Sequence, residues 1–181
     1  MSVSDQLQRV RMSYEDYLRL PEGVRAEYVN GEAIMTPPAT GGHNNAQRRL
    51  ANLIEGSLDP ALLVVTESGV RRGQRVRIPD VSVFARKEDV AFYDQVPILV
   101  VEVLSPSTRS EDTVRKVTEY LEAGISQYWL LDRDHATLTV LVNAGDAWQP
   151  ALELDAEHPR GEVAVGDHGV VAVDLEALVR L

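Results

Sequence analysis

The chain has no cysteine, which excludes disulfides, thiolate-bound metals and a cysteine nucleophile. It has no run near the roughly 18 apolar residues that a membrane span needs. Its first residues, Met1 to Ser13, lack the apolar stretch of a secretory signal. A cytoplasmic protein with no membrane partner is therefore expected. No Gly-x-Gly-x-x-Gly or Walker-type loop occurs, which argues against a nucleotide-dependent enzyme. His43, His135, His158 and His168 are irregularly spaced, which argues against a zinc site. No base accompanies Ser105 or Ser107 to make a serine nucleophile. Basic charge is also scarce, with 18 Lys and Arg against 28 Asp and Glu and a net charge of −10. Such a balance opposes the long-range attraction of a polyanion.

At 181 residues the chain is long enough for one domain with a proper core, and a single domain over 1–181 is expected. Ser13 and Asp16 resemble a capping box opening a short helix through Leu20, which Pro21-Glu22-Gly23 stops. Asn30-Gly31, between two strand-like runs within 25–35, is a strong hairpin signal. Thr36 to Gly42 reads as a loop, and Asn44 to Leu58 carries Leu50, Leu53, Ile54 and Leu58 at helical spacing. Leu62 to Glu67, Arg75 to Phe84, Gln127 to Leu131 and Thr137 to Val142 read as strands. Ile98 to Leu104 is almost wholly apolar, as in a central strand covered on both faces. Ser110 is placed to cap a helix over 111–123, with Gly124 ending it. The stretch 145–169 is rich in turn residues and acids and gives no clear element, and Asp174 is placed to cap a last helix to Leu181. The order predicts a mixed α/β fold around one central sheet.

Two acids interrupt this apolar pattern. Glu102 shares a strand face with Ile98, Val100 and Leu104, where an ionised carboxylate is costly unless paired or metal-bound. Asp80 follows Pro79, which cannot donate to a ladder and so marks a strand edge or bulge. Carboxylates on neighbouring strands make a hard oxygen site suited to Mg²⁺ or Mn²⁺. Structural salt bridges are the alternative for both. Lys116 falls at the margin of a helix face whose buried stripe would be Val114, Val117 and Leu121. Its long stem can reach inward, or it can pair on the surface with Asp112 one turn earlier. His43 follows the Gly41-Gly42 loop and either caps a helix or meets a phosphate there. The densest basic run is Arg71, Arg72, Arg75 and Arg77, just before Asp80, with Arg48-Arg49 as a second patch. The run is either a phosphate-contacting face or an ordinary solvated one.

Pro79-Asp80 followed by Glu102-Val103-Leu104 resembles the PD-(D/E)XK nuclease superfamily. Further motifs narrow the likeness: 28–32 (Tyr-Val-Asn-Gly-Glu), His43, Pro79-Asp80-Val81, 101–108 (Val-Glu-Val-Leu-Ser-Pro-Ser-Thr), Asp112 with Lys116, Tyr120, Gly124 and 128–132 (Tyr-Trp-Leu-Leu-Asp). In this order, over about Tyr14 to Val142, they resemble the Uma-type family of putative restriction endonucleases. The resemblance implies a restriction-endonuclease-like central mixed β-sheet flanked by helices, and a magnesium-dependent endonuclease acting on DNA. The superfamily places a lysine two residues after the second acid, where this chain has Leu104. The family likeness implies that Lys116 takes that role, positioning the attacking water and offsetting negative charge. It also implies that Asp80, Glu102 and the Val103 carbonyl hold the ion, that Glu27 adds a ligand or orients water, and that the arginine run and His43 contact DNA. A homodimer is expected by the same likeness, with the C-terminal third as its interface. A nuclease-fold module that binds nucleic acid or protein without turnover is the alternative.

Overall fold

The computed structural model describes residues 7–21 and 23–180. Glu22, within the expected helix stop, and Leu181, the expected helix end, lie outside the described residues. The fold is mixed α/β, but the strands among the described residues form two six-stranded sheets and a separate hairpin where one central sheet was expected.

The first sheet is built from β1 (Gln8–Arg11), β2 (Ala26–Val29), β3 (Glu32–Met35), β5 (Gly69–Arg72), β6 (Arg75–Arg77) and β8 (Phe92–Tyr93), in the order β1-β3-β2-β6-β5-β8. The β2–β3 hairpin turns on Asn30 and Gly31, whose φ of 53° and 82° are the paired positive values of a type I′ turn. A short helix, α1 (Tyr14–Tyr17), is capped by Ser13, which accepts from the Asp16 N–H at 3.1 Å. It ends sooner than expected and packs Tyr14 and Tyr17 on Tyr28.

The second sheet has the order β12-β11-β10-β9-β7-β4, from β4 (Leu63–Thr66), β7 (Val81–Phe84), β9 (Leu99–Val103), β10 (Gln127–Asp132), β11 (Thr137–Asn143) and β12 (Trp148–Leu154). β9 is central, as its apolar run predicts, pairing antiparallel with β7 and parallel with β10. The parallel crossover from β9 to β10 passes through α3 (Lys116–Glu122). On one face, Leu99, Val101 and Val103 pack with Leu50 and Ile54 of the long helix α2 (Gly41–Ser57). On the other, Val100 packs with Tyr120, Ile125 and Tyr128.

The poorly legible stretch folds into β12 and β13 (Arg160–Ala164), and β13 pairs with β14 (Val170–Asp174). Asp174 caps α4 (Leu175–Val179), accepting from the Ala177 N–H at 3.3 Å. Among the described residues no helix is long and apolar enough to cross a membrane.

Two departures from the expected elements position the site. The strand expected over 75–84 is two strands: β6 belongs to the first sheet, β7 to the second, and Ile78-Pro79-Asp80 carries the chain between them. Pro79 supplies no ladder donor at this point, so pairing stops. The second departure precedes α3, where residues Glu111–Arg115 form a π-helical turn. Ser110 accepts no capping hydrogen bond there; Ser105 accepts from the Thr108 N–H instead.

Candidate active site

The π-turn decides which helix face is buried. Extra residues in a turn shift every later side chain around the axis, so the 3.6-residue stripe expected through Val114 does not form. Val114 is 64% exposed, whereas Glu111, Asp112, Lys116 and Tyr120 turn inward. Lys116, expected at a margin, is 4% exposed. Its pairing with Asp112 exists, but in the interior.

Lys116 Nζ lies 2.8 Å from Glu102 Oε1 on β9, 3.0 Å from Glu27 Oε1 on β2 and 3.0 Å from Asp112 Oδ1. Tyr120 donates its hydroxyl to the same Glu102 oxygen at 2.9 Å. Burial opposes the charged ammonium, but Asp112, Glu102 and Glu27 outweigh it and raise the lysine well above its ordinary pKa. Lys116 therefore keeps its proton at neutral pH and is a fixed cation. Burial also drives Glu102 well above the usual carboxylate range; Lys116 pulls it down, while Asp112, Asp80 and Glu27 add to the rise. Asp112 is raised mainly by burial, against the pull of Lys116 3.0 Å away.

Asp80 sits at the crossing between the sheets, 3% exposed. Its Oδ2 accepts the Val103 N–H at 2.7 Å, and its Oδ1 lies 3.0 Å from His43 Nε2 and 3.4 Å from Arg25 Nη2. Gln47 donates to the Asp80 carbonyl at 3.0 Å. His43 and Gln47 are one turn apart on α2, so the same helix face holds both the side chain and the backbone of this acid. Burial raises the Asp80 pKa, but His43, the Val103 N–H and Lys116 overcome that and leave it lowered.

Glu27 accepts the Ile78 N–H at 3.0 Å and pairs with Arg77 at 2.7 Å. Burial penalises its charge, yet Lys116 and Arg77 hold its pKa down at about 2. Glu27 is thus a buried, paired acid and not a surface charge beside the hairpin turn. Arg77 requires a correction. It was expected to face DNA, but it is 2% exposed and enclosed by Glu27, Glu111 at 3.0 Å and Glu119 at 2.7 Å. Alternation along β6 turns it inward, where three carboxylates hold it away from any phosphate. Arg71 lies on the surface in a forked pair with Asp94, and Arg72 donates to the Asp94 carbonyl. Arg75 is partly exposed, 3.8 Å from Glu119.

Glu27, Asp80, Glu102, Asp112 and Lys116 share the floor of one cleft of about 710 Å³, with Arg25, His43 and Arg133 also lining it. The donors are hard oxygens, and acids outnumber cations on this floor, which fits a hard divalent cation. Among the described residues no three His, Asp or Glu side chains converge as a ready metal cage. A two-carboxylate set completed by water and substrate oxygens is the usual manner of Mg²⁺. The donor set therefore fits the ion. Arg25 and Gln47 escaped sequence reasoning, and Tyr120 stood there only as a motif residue without a role, because only tertiary packing brings them to these acids.

A family model described as "Uma2: Putative restriction endonuclease" matches residues 14–173. Four solved chains match the fold. One is a putative nuclease belonging to DUF820 from Anabaena variabilis ATCC 29413, with a TM-score of 0.74 and 22% identity over 93% of this chain and 97% of that one. No protein with a curated description matches.

Proposed function

Because the chain belongs to the Uma2 family, whose description is "Putative restriction endonuclease", we propose that its acidic cleft hydrolyses phosphodiester bonds of DNA with a divalent cation. The observation that carries this reading is the lysine on α3 that reaches 2.8 Å from Glu102 in the cleft that also holds Asp80. In place of the lysine that the strand lacks at Leu104, the helix brings one to the same acid.

Asp80, Glu102 and the Val103 carbonyl would hold Mg²⁺ or Mn²⁺. The ion, when bound, supplies a water of lowered pKa and neutralises charge on the scissile phosphate. The chain's own groups do the rest. Lys116 is held charged by three acids and faces the growing negative charge with little reorganisation. Tyr120 fixes the Glu102 carboxylate, and the Val103 N–H and His43 fix Asp80. Glu27 locks the lysine and the inter-sheet crossing together through the Ile78 N–H. Arg71, Arg72 and Arg75 remain the surface candidates for the DNA backbone, and a homodimer would place two clefts along a duplex.

Supercoiled plasmid incubated with Mg²⁺ or Mn²⁺ tests the reading. The wild type is expected to nick it, and Glu102→Ala and Lys116→Ala to lose nicking. Equal nicking by all three proteins would trace the activity to a contaminant and overturn the mechanism. Binding of DNA without cleavage under any of these conditions would favour a binding module on the same fold.

A further inference from the structure

Among the described residues, the cations around the cleft have carboxylate partners, with one exception. Arg25 is held by Glu67 and Asp80, Lys116 by Glu27, Glu102 and Asp112, and nearby Arg109 by Asp132. Arg133 lines the same cleft, directly after β10, beside the exposed Asp134. It has no such carboxylate among the described residues, and its Nε is buried without a hydrogen-bond partner. In a chain with 28 acids and 18 bases, that isolation is notable.

The guanidinium has a dedicated seat. A Cβ built on Gly42 would fall 2.7 Å from Arg133 Cζ and Nη1. Gly42 lies in the first turn of α2, where its backbone does not need a positive φ. Glycine at this position leaves open the space that the guanidinium occupies. The location is electrostatically unfavourable as it stands. The opening N–H groups of a helix lack intrahelical acceptors and carry partial positive charge, so a cation beside them is repelled. An anion placed between the two turns that repulsion into attraction at both ends.

We propose that Arg133 and the first turn of α2 form a phosphate subsite of the cleft. It takes a backbone phosphate of the nucleic acid strand neighbouring the one that is hydrolysed beside Asp80 and Glu102. The proposal rests on the phosphodiester reading of this cleft and adds to it the residue that places the strand. Arg133 binds the strand and has no part in activating water.

Binding of a fluorescein-labelled DNA duplex tests it, read by anisotropy with Ca²⁺ replacing Mg²⁺ and salt varied between about 50 and 200 mM. Arg133→Ala is expected to weaken binding about tenfold and to lower the slope of log affinity against log salt by about one. Arg133→Lys should fall between, because it keeps the charge and loses the planar fork. Gly42→Ala should weaken binding while keeping the wild-type melting temperature, since it displaces the guanidinium and leaves a good helix former behind. Unchanged affinity and slope in Arg133→Ala overturn the subsite, and plasmid nicking by that variant would leave hydrolysis standing. Arg133-dependent binding in a protein that never nicks supports the subsite and overturns hydrolysis. Failure of the wild type to bind the duplex overturns both.

Discussion

Lys116 Nζ sits 2.8 Å from Glu102 Oε1, although the residues are 14 positions apart and lie on a helix and a strand. The contact depends on the π-turn at Glu111–Arg115, which rotates the lysine from the helix margin into the interior. It also makes the lysine the counter-ion of three buried acids. Lys116→Met should therefore destabilise the protein by about 3–5 kcal/mol, the usual cost of orphaning a buried charge. Adding Asp112→Asn or Glu102→Gln to that variant should recover part of the loss, because fewer acids are left unpaired. Urea denaturation of the single and double variants measures both effects. Strictly additive losses would mean that the charges do not act as one unit.

Asp80 and Glu102 are the groups to which a divalent ion should be linked. Ligand that binds only the folded state raises the melting temperature. Mg²⁺ or Mn²⁺ is expected to raise it for the wild type and to have no such effect on Asp80→Asn or Glu102→Gln. Differential scanning fluorimetry against ion concentration reads this without reference to activity. An equal rise in all three proteins would place the ion elsewhere.

Local signals and tertiary ones differed in how far the sequence exposed them. The Asn30-Gly31 turn, the Ser13 and Asp174 caps and the apolar β9 run were legible because each depends on backbone preference or burial within a few residues. Asp80 and Glu102 were legible because a charge among apolar strand residues needs a partner. The division of 75–84 between two sheets was hidden, since alternation continues through Ile78 and Asp80 and only Pro79 marks the break. The phase of the Lys116 helix was hidden too, because periodicity assumes 3.6 residues per turn and the π-turn departs from it. Strand β13 lay in the turn-rich stretch 145–169, where mostly exposed residues around Val163 resemble a loop.

Arg77 and Arg75 lie two residues apart on β6 and should behave as different residues. Arg77→Met leaves Glu27, Glu111 and Glu119 without their shared cation. A loss of about 3–5 kcal/mol is expected. Arg75→Ala, at the partly exposed end of the strand, should change stability by only about 0.5 kcal/mol. If instead Arg75→Ala is the costly variant, the inward orientation of Arg77 is wrong. Chemical denaturation of the two proteins side by side decides it.

Asp132 ends β10 and makes part of the acid sensitivity of the fold predictable. Burial raises its pKa, but hydrogen bonds from Arg109 at 2.5 Å and His135 at 2.9 Å prevail and hold it at about 2, below the ordinary 3.8. Its other oxygen accepts the Asp134 and His135 N–H groups, closing the turn. A carboxyl with a depressed folded pKa contributes stability that is present above its unfolded pKa and is lost as pH falls towards the folded one. The contribution is therefore complete above about pH 5 and roughly halved by pH 3. Asp132→Asn keeps an oxygen for the turn and removes the charge facing Arg109. It should cost about 2 kcal/mol at pH 7, and the gap to the wild type should narrow to about half at pH 3. Urea midpoints of both proteins at pH 7, 5 and 3 provide the comparison. A gap that stays constant across that range would assign the loss to the altered turn and not to the carboxylate charge.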